Sequence, residues 1–381
     1  MKKRTYRTLG LMSGSSLDGL DVAPCRFELA AGKTFKLLDW KIEQAATLPY
    51  SEEWKSRLIQ LIHADARTFA KTHVHYARYI GALVNSFLKR HQFEPDFIAA
   101  HGHTIFHFPE EQFTTQIGEG AALSAVTGYP VVCDFRTQDV AQGGQGAPIA
   151  SIADKYFFSD YDFCLNLGGI ANITAQVNGK YIAFDISGAN QILNAIVEEI
   201  GLEYDNQGKL AAKGALITRL FNACNHLSFL QENYPKTLDN QWVKNKLIPL
   251  FKDKEETLED RLHTACAHIA HQVAKSVKNI LQHEQLHKST YELLVTGGGG
   301  YNDFLMQLLR RELGELRVNV HLPDEILIGF KEAAMIALMG VMRIESIPNC
   351  MGSVTGARVD TINGAIYQGM EISSHPTTSP F

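Results

Sequence analysis

Several short stretches of this chain combine the residue types that phosphate and proton chemistry need. In Met12-Ser13-Gly14-Ser15-Ser16-Leu17-Asp18-Gly19, glycines alternate with hydroxyls and a carboxylate. Gly14 and Gly19 allow positive φ and close backbone approach to a bulky anion. Ser15 and Ser16 offer hydroxyl and N–H donors to phosphate oxygens, in the manner of an anion nest. Asp18 is placed to hold Mg2+ directly or through water, because this ion usually keeps several of its waters. A plain hairpin turn would draw on the same residue types. The Gly-x4-Gly-Lys-Ser/Thr spacing of a Walker A loop is absent.

Two further glycine clusters end apolar runs, at Gly168-Gly169 and at Gly297-Gly298-Gly299-Gly300. The second precedes a helical pattern with Asn302 and Asp303 at its start. Glycines at such places let a ring or a phosphate lie against backbone. Asp185 ends another apolar run, where a carboxylate can serve as general base or as the N-cap of the helix that follows. Asn190, five residues on, reads either as a ligand contact or as helix surface.

His101-Gly102-His103-Thr104 also follows an apolar run. The two imidazoles are read as pointing apart, so a joint metal site is not expected; a substrate contact is expected for one of them, and the other reads as a hydrogen-bonded core histidine. Arg136, in Asp134-Phe135-Arg136, has the forked donor geometry that suits phosphate or carboxylate. A salt bridge to Asp134 or Asp139 is the structural alternative. Lys209, Lys213, Glu332 and the stretch 351–357 are suggestive only, with Glu332 read as near a helix start. His63, His73 and His75 read as solvated helix surface.

The elements that must position these residues follow from periodicity. Thr8–Leu11, Leu20–Phe27 and Phe35–Ile42 read as three strands of a meander. Helices are expected from a Ser51 cap to about His63 and over Ala66–His91. A strand at Phe97–Ala100, a helix over Gly118–Thr127 and a strand at Val131–Cys133 come next. The pattern then recurs: strands at Phe163–Leu167, Asn172–Val177 and Tyr181–Phe184, with an Asn178-Gly179 hairpin signal, helices at about Ala189–Ile200 and Leu258–Glu284, and a last strand at Glu292–Val295. Two such halves would face each other across a cleft lined by glycine-rich strand ends. The segment Gln142–Pro148 lies between them as a hinge or an active-site loop.

The chain has 381 residues, 45% of them hydrophobic and 20% charged, with a net charge of −5. That supports two packed cores and gives no basic surface for nucleic acid. Six scattered cysteines form no CxxC pair and read as thiols in a reducing compartment. Neither a signal peptide nor a membrane-length apolar run is visible, so a cytoplasmic enzyme with no membrane partner is expected.

Taken in order, the 12–19 loop, His101-Gly102-His103-Thr104, Asp134-Phe135-Arg136 with Gly143–Pro148, Asn166–Asn172 and Thr296–Gly299 resemble the anhydro-N-acetylmuramic acid kinase family of the actin-like ATPase superfamily. Tyr204-Asp205 with Gly208, and Ser353–Ala357, also fit. The resemblance covers nearly the whole chain, and the joint set is far more specific than any one motif. It implies an α/β fold of two duplicated actin-like (ribonuclease H-like) domains, each a mixed sheet flanked by helices, with a nucleotide cleft between them. Domains at 1–145 and 146–381 follow, with the C-terminal segment packing back on the first. The implied reaction opens the 1,6-anhydro ring and phosphorylates O6, giving N-acetylmuramic acid 6-phosphate, with ATP and Mg2+. Water attacks C1 and the freed O6 takes the γ-phosphoryl group.

By the same resemblance, Asp185 is the catalytic base. Gly14, Ser15, Ser16, Leu17, Asp18, Gly19, Leu20 and Asp21 form the phosphate loop, with Asp18 toward the metal. Gly168, Gly169, Gly297, Gly298, Gly299 and Asn302 serve the nucleotide. His101, His103, Arg136, Gln145, Gly146 and Asn190 serve the sugar. A homodimer is left open. The chain departs from the family at three places. The usual Asp-Thr-Gly-Pro-Gly-Asn is Asp185-Ile186-Ser187-Gly188-Ala189-Asn190, the glutamine after His-Gly is His103, and the threonine after Ser-Gly is Ser15. A kinase of another sugar, or a regulator that binds nucleotide without turnover, are the alternative readings.

Overall fold

Apolar runs bounded by glycine and polar clusters become the inner strands of two sheets. A computed structural model describes residues 3–14, 17–31, 35–147, 151–252 and 255–369. Ser15 and Ser16, both expected at the phosphate loop, lie outside the described residues. The chain divides into two compact units. One holds the residues up to Phe157 together with those from Phe330 onward, and the other is Phe158–Gly329.

The first unit contains β1 (Lys3–Ser13), β2 (Gly19–Ala30), β3 (Leu37–Ile42), β4 (Ala46–Pro49), β5 (Phe97–Phe108), β6 (Phe113–Ile117) and β7 (Val131–Cys133). The second contains β8 (Phe163–Leu167), β9 (Ile170–Val177), β10 (Lys180–Gly188), β11 (Tyr291–Thr296) and β12 (Val318–His321), and β13 (Ala365–Tyr367) completes the first. The first sheet runs β13-β7-β5-β1-β2-β3, with β4 on β2 and β6 on β5; the second runs β10-β9-β8-β11-β12. In both, the first three strands are an antiparallel meander; β5 and β7 then join in parallel in the first sheet, and β11 and β12 in the second. The order β3-β2-β1-β5-β7 therefore repeats as β10-β9-β8-β11-β12. The fold is mixed α/β and internally duplicated, and the second pass keeps the topology while sharing little sequence.

Each sheet is covered by amphipathic helices. Helix Ala66–His91 is capped by Asp65, which accepts from the Arg67 and Thr68 N–H groups. It buries Tyr76, Ile80, Val84 and Phe87 in the first core. Helix Leu258–His283, capped by Thr257, puts Leu262, Ile269, Val273 and Ile280 into the second. No helix among the described residues is long and apolar enough to cross a membrane.

The expected boundary at 145/146 lies inside the first unit. The Gln145 N–H donates to the Thr355 carbonyl and the Gly146 N–H to Asp139 Oδ2, both at 2.8 Å. The stretch is thus tied to its own unit, and the chain crosses to the second unit only at Phe158. Glu292–Val295 is not the last strand, since β12 and β13 follow. Glu332 is not at a helix start: helix Glu325–Ile344 begins two turns earlier.

Candidate active site

In the first unit, β1 delivers the chain to Gly14 and β2 takes it up at Gly19, with Met12 and Asp21 the last paired residues. Leu17 has φ +57°, and the Gly19 N–H donates to Asp18 Oδ1 at 3.1 Å. A Cβ at Gly19 would lie 2.5 Å from the Leu48 carbonyl oxygen, so the approach of β4 requires glycine there. Asp18 is exposed. Asp21 is half-buried, accepts from Thr47 Oγ1 at 2.6 Å, and has its pKa pushed up by burial and by the charges of Asp18 and Glu332. Leu20 is 1% exposed, so its side chain belongs to the core and its backbone is what it can offer a ligand.

His101 and His103 find separate partners. In a regular strand residues two apart share a face, which is the opposite of the divergence expected. Gly102, at φ +77°, and the register break opposite Leu11 and Ser13 interrupt that alternation. His103 Nδ1 bonds Ser13 Oγ at 3.0 Å, and the Tyr50 hydroxyl donates to the same Oγ at 2.8 Å. Burial lowers the pKa of His103. Arg136 donates Nε–H to His101 Nε2 at 2.8 Å and Nη1–H to the Gly146 carbonyl at 2.6 Å. Neither Asp134 nor Asp139 takes the salt bridge offered as an alternative. Burial, and then the Arg136 charge, hold the His101 pKa at about 3. This imidazole is therefore neutral: Nε2 accepts from the guanidinium, and Nδ1 donates to the Gly102 carbonyl at 3.0 Å.

Asp139, which the sequence weighed only as an ion-pair partner, holds this corner together. It is fully buried, and it accepts from Gly146 N–H and from Thr355 Oγ1, each at 2.8 Å. Gln145 is exposed on the loop so held, while Gly146 is buried. A cavity of about 270 Å³ opens nearby within this unit, lined by His73, His101, Gln116, Glu119, Asp134 and Thr137 among others. His63 and His75 are exposed as expected, but His73 is half-buried and accepts the Gly118 N–H at 3.1 Å. Helical periodicity gave no sign of that bond, because β6 leads Gly118 to it.

In the second unit Asp185 lies in β10, opposite Asn172. Its N–H donates to the Lys236 carbonyl at 3.1 Å, and its Oδ2 accepts the Leu238 N–H at 2.8 Å. Burial raises its pKa, and the Leu238 bond partly offsets the rise. Asp185 does not cap the next helix; Ala189 occupies that position without a side-chain bond. The carboxylate is thus oriented by backbone and partly desolvated, as suits a general base.

Gly168 and Gly169 form the β8–β9 tip. Their carbonyls accept the N–H groups of Asn190, and of Ala189 and Gln191, at 2.8 to 3.2 Å. Gly297 has φ +85°, and a Cβ there would meet Asn166 and Leu167 at 2.8 Å. Gly298, Gly299 and Asn302 line a cavity of about 670 Å³, together with Asn190, Tyr204 and Asp205. Asn190, expected beside the sugar, therefore shares a cavity with the glycines assigned to the nucleotide. Its Nδ2 donates to the Leu167 carbonyl at 3.1 Å. Asn302 Oδ1 caps helix Asp303–Gly314 through the Leu305 N–H, so part of its polarity is spent structurally. Leu193, Leu322 and Ile328 add apolar walls that no motif announced.

Each unit alone thus presents a cavity beside glycine-rich strand ends, with one carboxylate poised in β10. A family model described as anhydro-N-acetylmuramic acid kinase matches residues 6–369. The chain belongs to the anhydro-N-acetylmuramic acid kinase family. Proteins of that name from Haemophilus influenzae and Mannheimia succiniciproducens are each 31% identical to it, covering 96% of this chain and 98% and 100% of their own length. One from Bacillus cereus is 28% identical, over 94% of this chain and 98% of its own.

Proposed function

We propose that this chain is an ATP-dependent kinase that opens 1,6-anhydro-N-acetylmuramic acid and phosphorylates it at O6, within the cytoplasm. The observation that carries the reading is Asp185: a half-buried carboxylate, held by the Leu238 N–H, with its pKa raised by burial. In this role Asp185 Oδ1 takes a proton from the water that attacks C1. The anhydro bridge breaks, and O6 becomes the acceptor of the γ-phosphoryl group. Positioning and exclusion of water supply most of the remaining acceleration.

The larger cavity suits adenosine: Leu193, Leu322 and Ile328 give apolar faces for a ring, and Asn190, Asp205 and Asn302 give polar groups beside them. The smaller one, with His73, Gln116 and Thr137, suits a sugar. Arg136, fixed by His101 and Gly146, is the cation we assign to ligand oxygens near it. Gly14 to Asp21 are assigned to the phosphates. Mg2+, when bound, would neutralise phosphate charge. The exposed Asp18 fits it with Asp21 behind, since one or two carboxylates plus waters and phosphates satisfy this ion.

A coupled ADP-release assay tests the reading. Anhydro-N-acetylmuramic acid should be turned over in preference to hexoses and other anhydro-sugars. Faster turnover of another sugar, or nucleotide binding without turnover on any, would overturn it.

A further inference from the structure

Asp185 sits at a break in its own strand. The β10–β9 register shifts between Asp185, opposite Asn172, and Ser187, opposite Ala171. A bulge leaves one residue unpaired and loosens the ladder locally. The usual family sequence has a proline at the next position after Ser187, whereas this chain has Gly188 there, which adds no restraint on φ. Something else must fix the direction of the strand beside the carboxylate.

Ser187 supplies a bond at that point. It is fully buried, and its Oγ lies 3.0 Å from His268 Nε2. His268 Nδ1 lies 2.8 Å from Asn225 Oδ1, to which Gln272 Nε2 also donates at 2.7 Å. The proton positions follow. The amide oxygen of Asn225 accepts, so Nδ1 of His268 carries the proton and Nε2 accepts from the Ser187 hydroxyl. Burial holds the His268 pKa at about 3, so the ring stays neutral in this chain of bonds. Three elements meet here: β10, helix Thr218–Asn225 and helix Leu258–His283. Asn225 Nδ2 is buried with no partner among the described residues. An apolar side chain would avoid that cost, which argues that the network serves more than packing.

We propose that Ser187 is a positioning residue for Asp185, with His268 and Asn225 as the fixed frame behind it. The proposal rests on Asp185 being the base. The hydroxyl bond does at the bulge what a proline ring would do by restricting φ.

The test is steady-state kinetics on the full chain with anhydro-N-acetylmuramic acid and ATP. Ser187→Ala is expected to lower kcat at least tenfold with both KM values unchanged. Ser187→Ala with His268→Leu, which removes both polar partners, should recover thermal stability but not kcat. Adding Ser187→Ala to Asp185→Asn should cost nothing further, because a group acting through another has no effect once the other is gone. Wild-type kcat in Ser187→Ala, recovery of kcat in the double variant, or an additive loss on Asp185→Asn would each overturn the proposal. If Ser187→Ala does not fold, the Ser187→Ala/His268→Leu variant carries the same comparison. Normal turnover by Asp185→Asn alone would instead remove the base assignment.

Discussion

Arg136 donates its Nε–H to Nε2 of His101 across 2.8 Å, while Nη1 reaches the Gly146 carbonyl. One guanidinium fork thus joins the middle of β5 to the loop after helix Thr137–Ala141. An ammonium group has no such fork. Arg136→Lys should keep the charge and lose one of the two bonds. About 1.5–3 kcal/mol is the usual worth of a hydrogen bond to a charged group. Chemical denaturation should show a loss of that order, with sugar KM raised alongside it.

Asp185→Asn should lower kcat by about 10²–10⁴-fold, the usual share of a general base. The amide oxygen can still accept from Leu238, so the fold and ATP affinity should be kept. Calorimetric ATP titration beside the ADP-release assay separates the two effects.

The same carboxylate sets a pH dependence. Burial favours its protonated form and raises its pKa above the ordinary carboxylate value. The reaction needs the ionised form, so kcat/KM should be full above that raised pKa and fall as pH drops through it. A pH–rate profile whose acid limb lies at the ordinary aspartate value would contradict this.

Gly299→Ala should weaken nucleotide binding. A Cβ there would lie 2.7 Å from Leu167 Cβ and 3.2 Å from Asn190 Oδ1. Backing the turn away from β8 displaces a cavity wall, and a rise of about tenfold in ATP Kd (about 1.4 kcal/mol) is expected. Sugar KM should move little.

His73 offers the converse case. Its Nδ1 is occupied by the Gly118 N–H, and it lines the smaller cavity. His73→Ala should raise sugar KM about tenfold, near the worth of one polar contact, and leave ATP KM alone. Initial rates with each substrate varied in turn check this.

The duplicated sheet was legible because apolar runs ending in glycine mark inner parallel and meander strands. Phe163–Leu167 was read to the residue, and helix Ala66–His91 falls where about those bounds were expected. The short edge strands β4 and β6 carry few apolar residues and β13 is only three residues long, so they left no such mark. Asp185 stood out because a carboxylate after an apolar run is rare. Asp139, His73 and Ser187 did not, since their roles come from partners 7 to 216 residues away in sequence.

The return of residues from Phe330 onward to the first unit has a consequence for the order of synthesis. Asp139 waits for Thr355, and β7 waits for β13. The second unit is continuous in sequence, Phe158–Gly329. A ribosome therefore finishes the second unit first, although the first begins to emerge earlier. Until Thr355 and β13 have been made, a buried carboxylate lacks one of its donors and a sheet edge stays open, which is the interval in which a nascent chain most needs protection from aggregation.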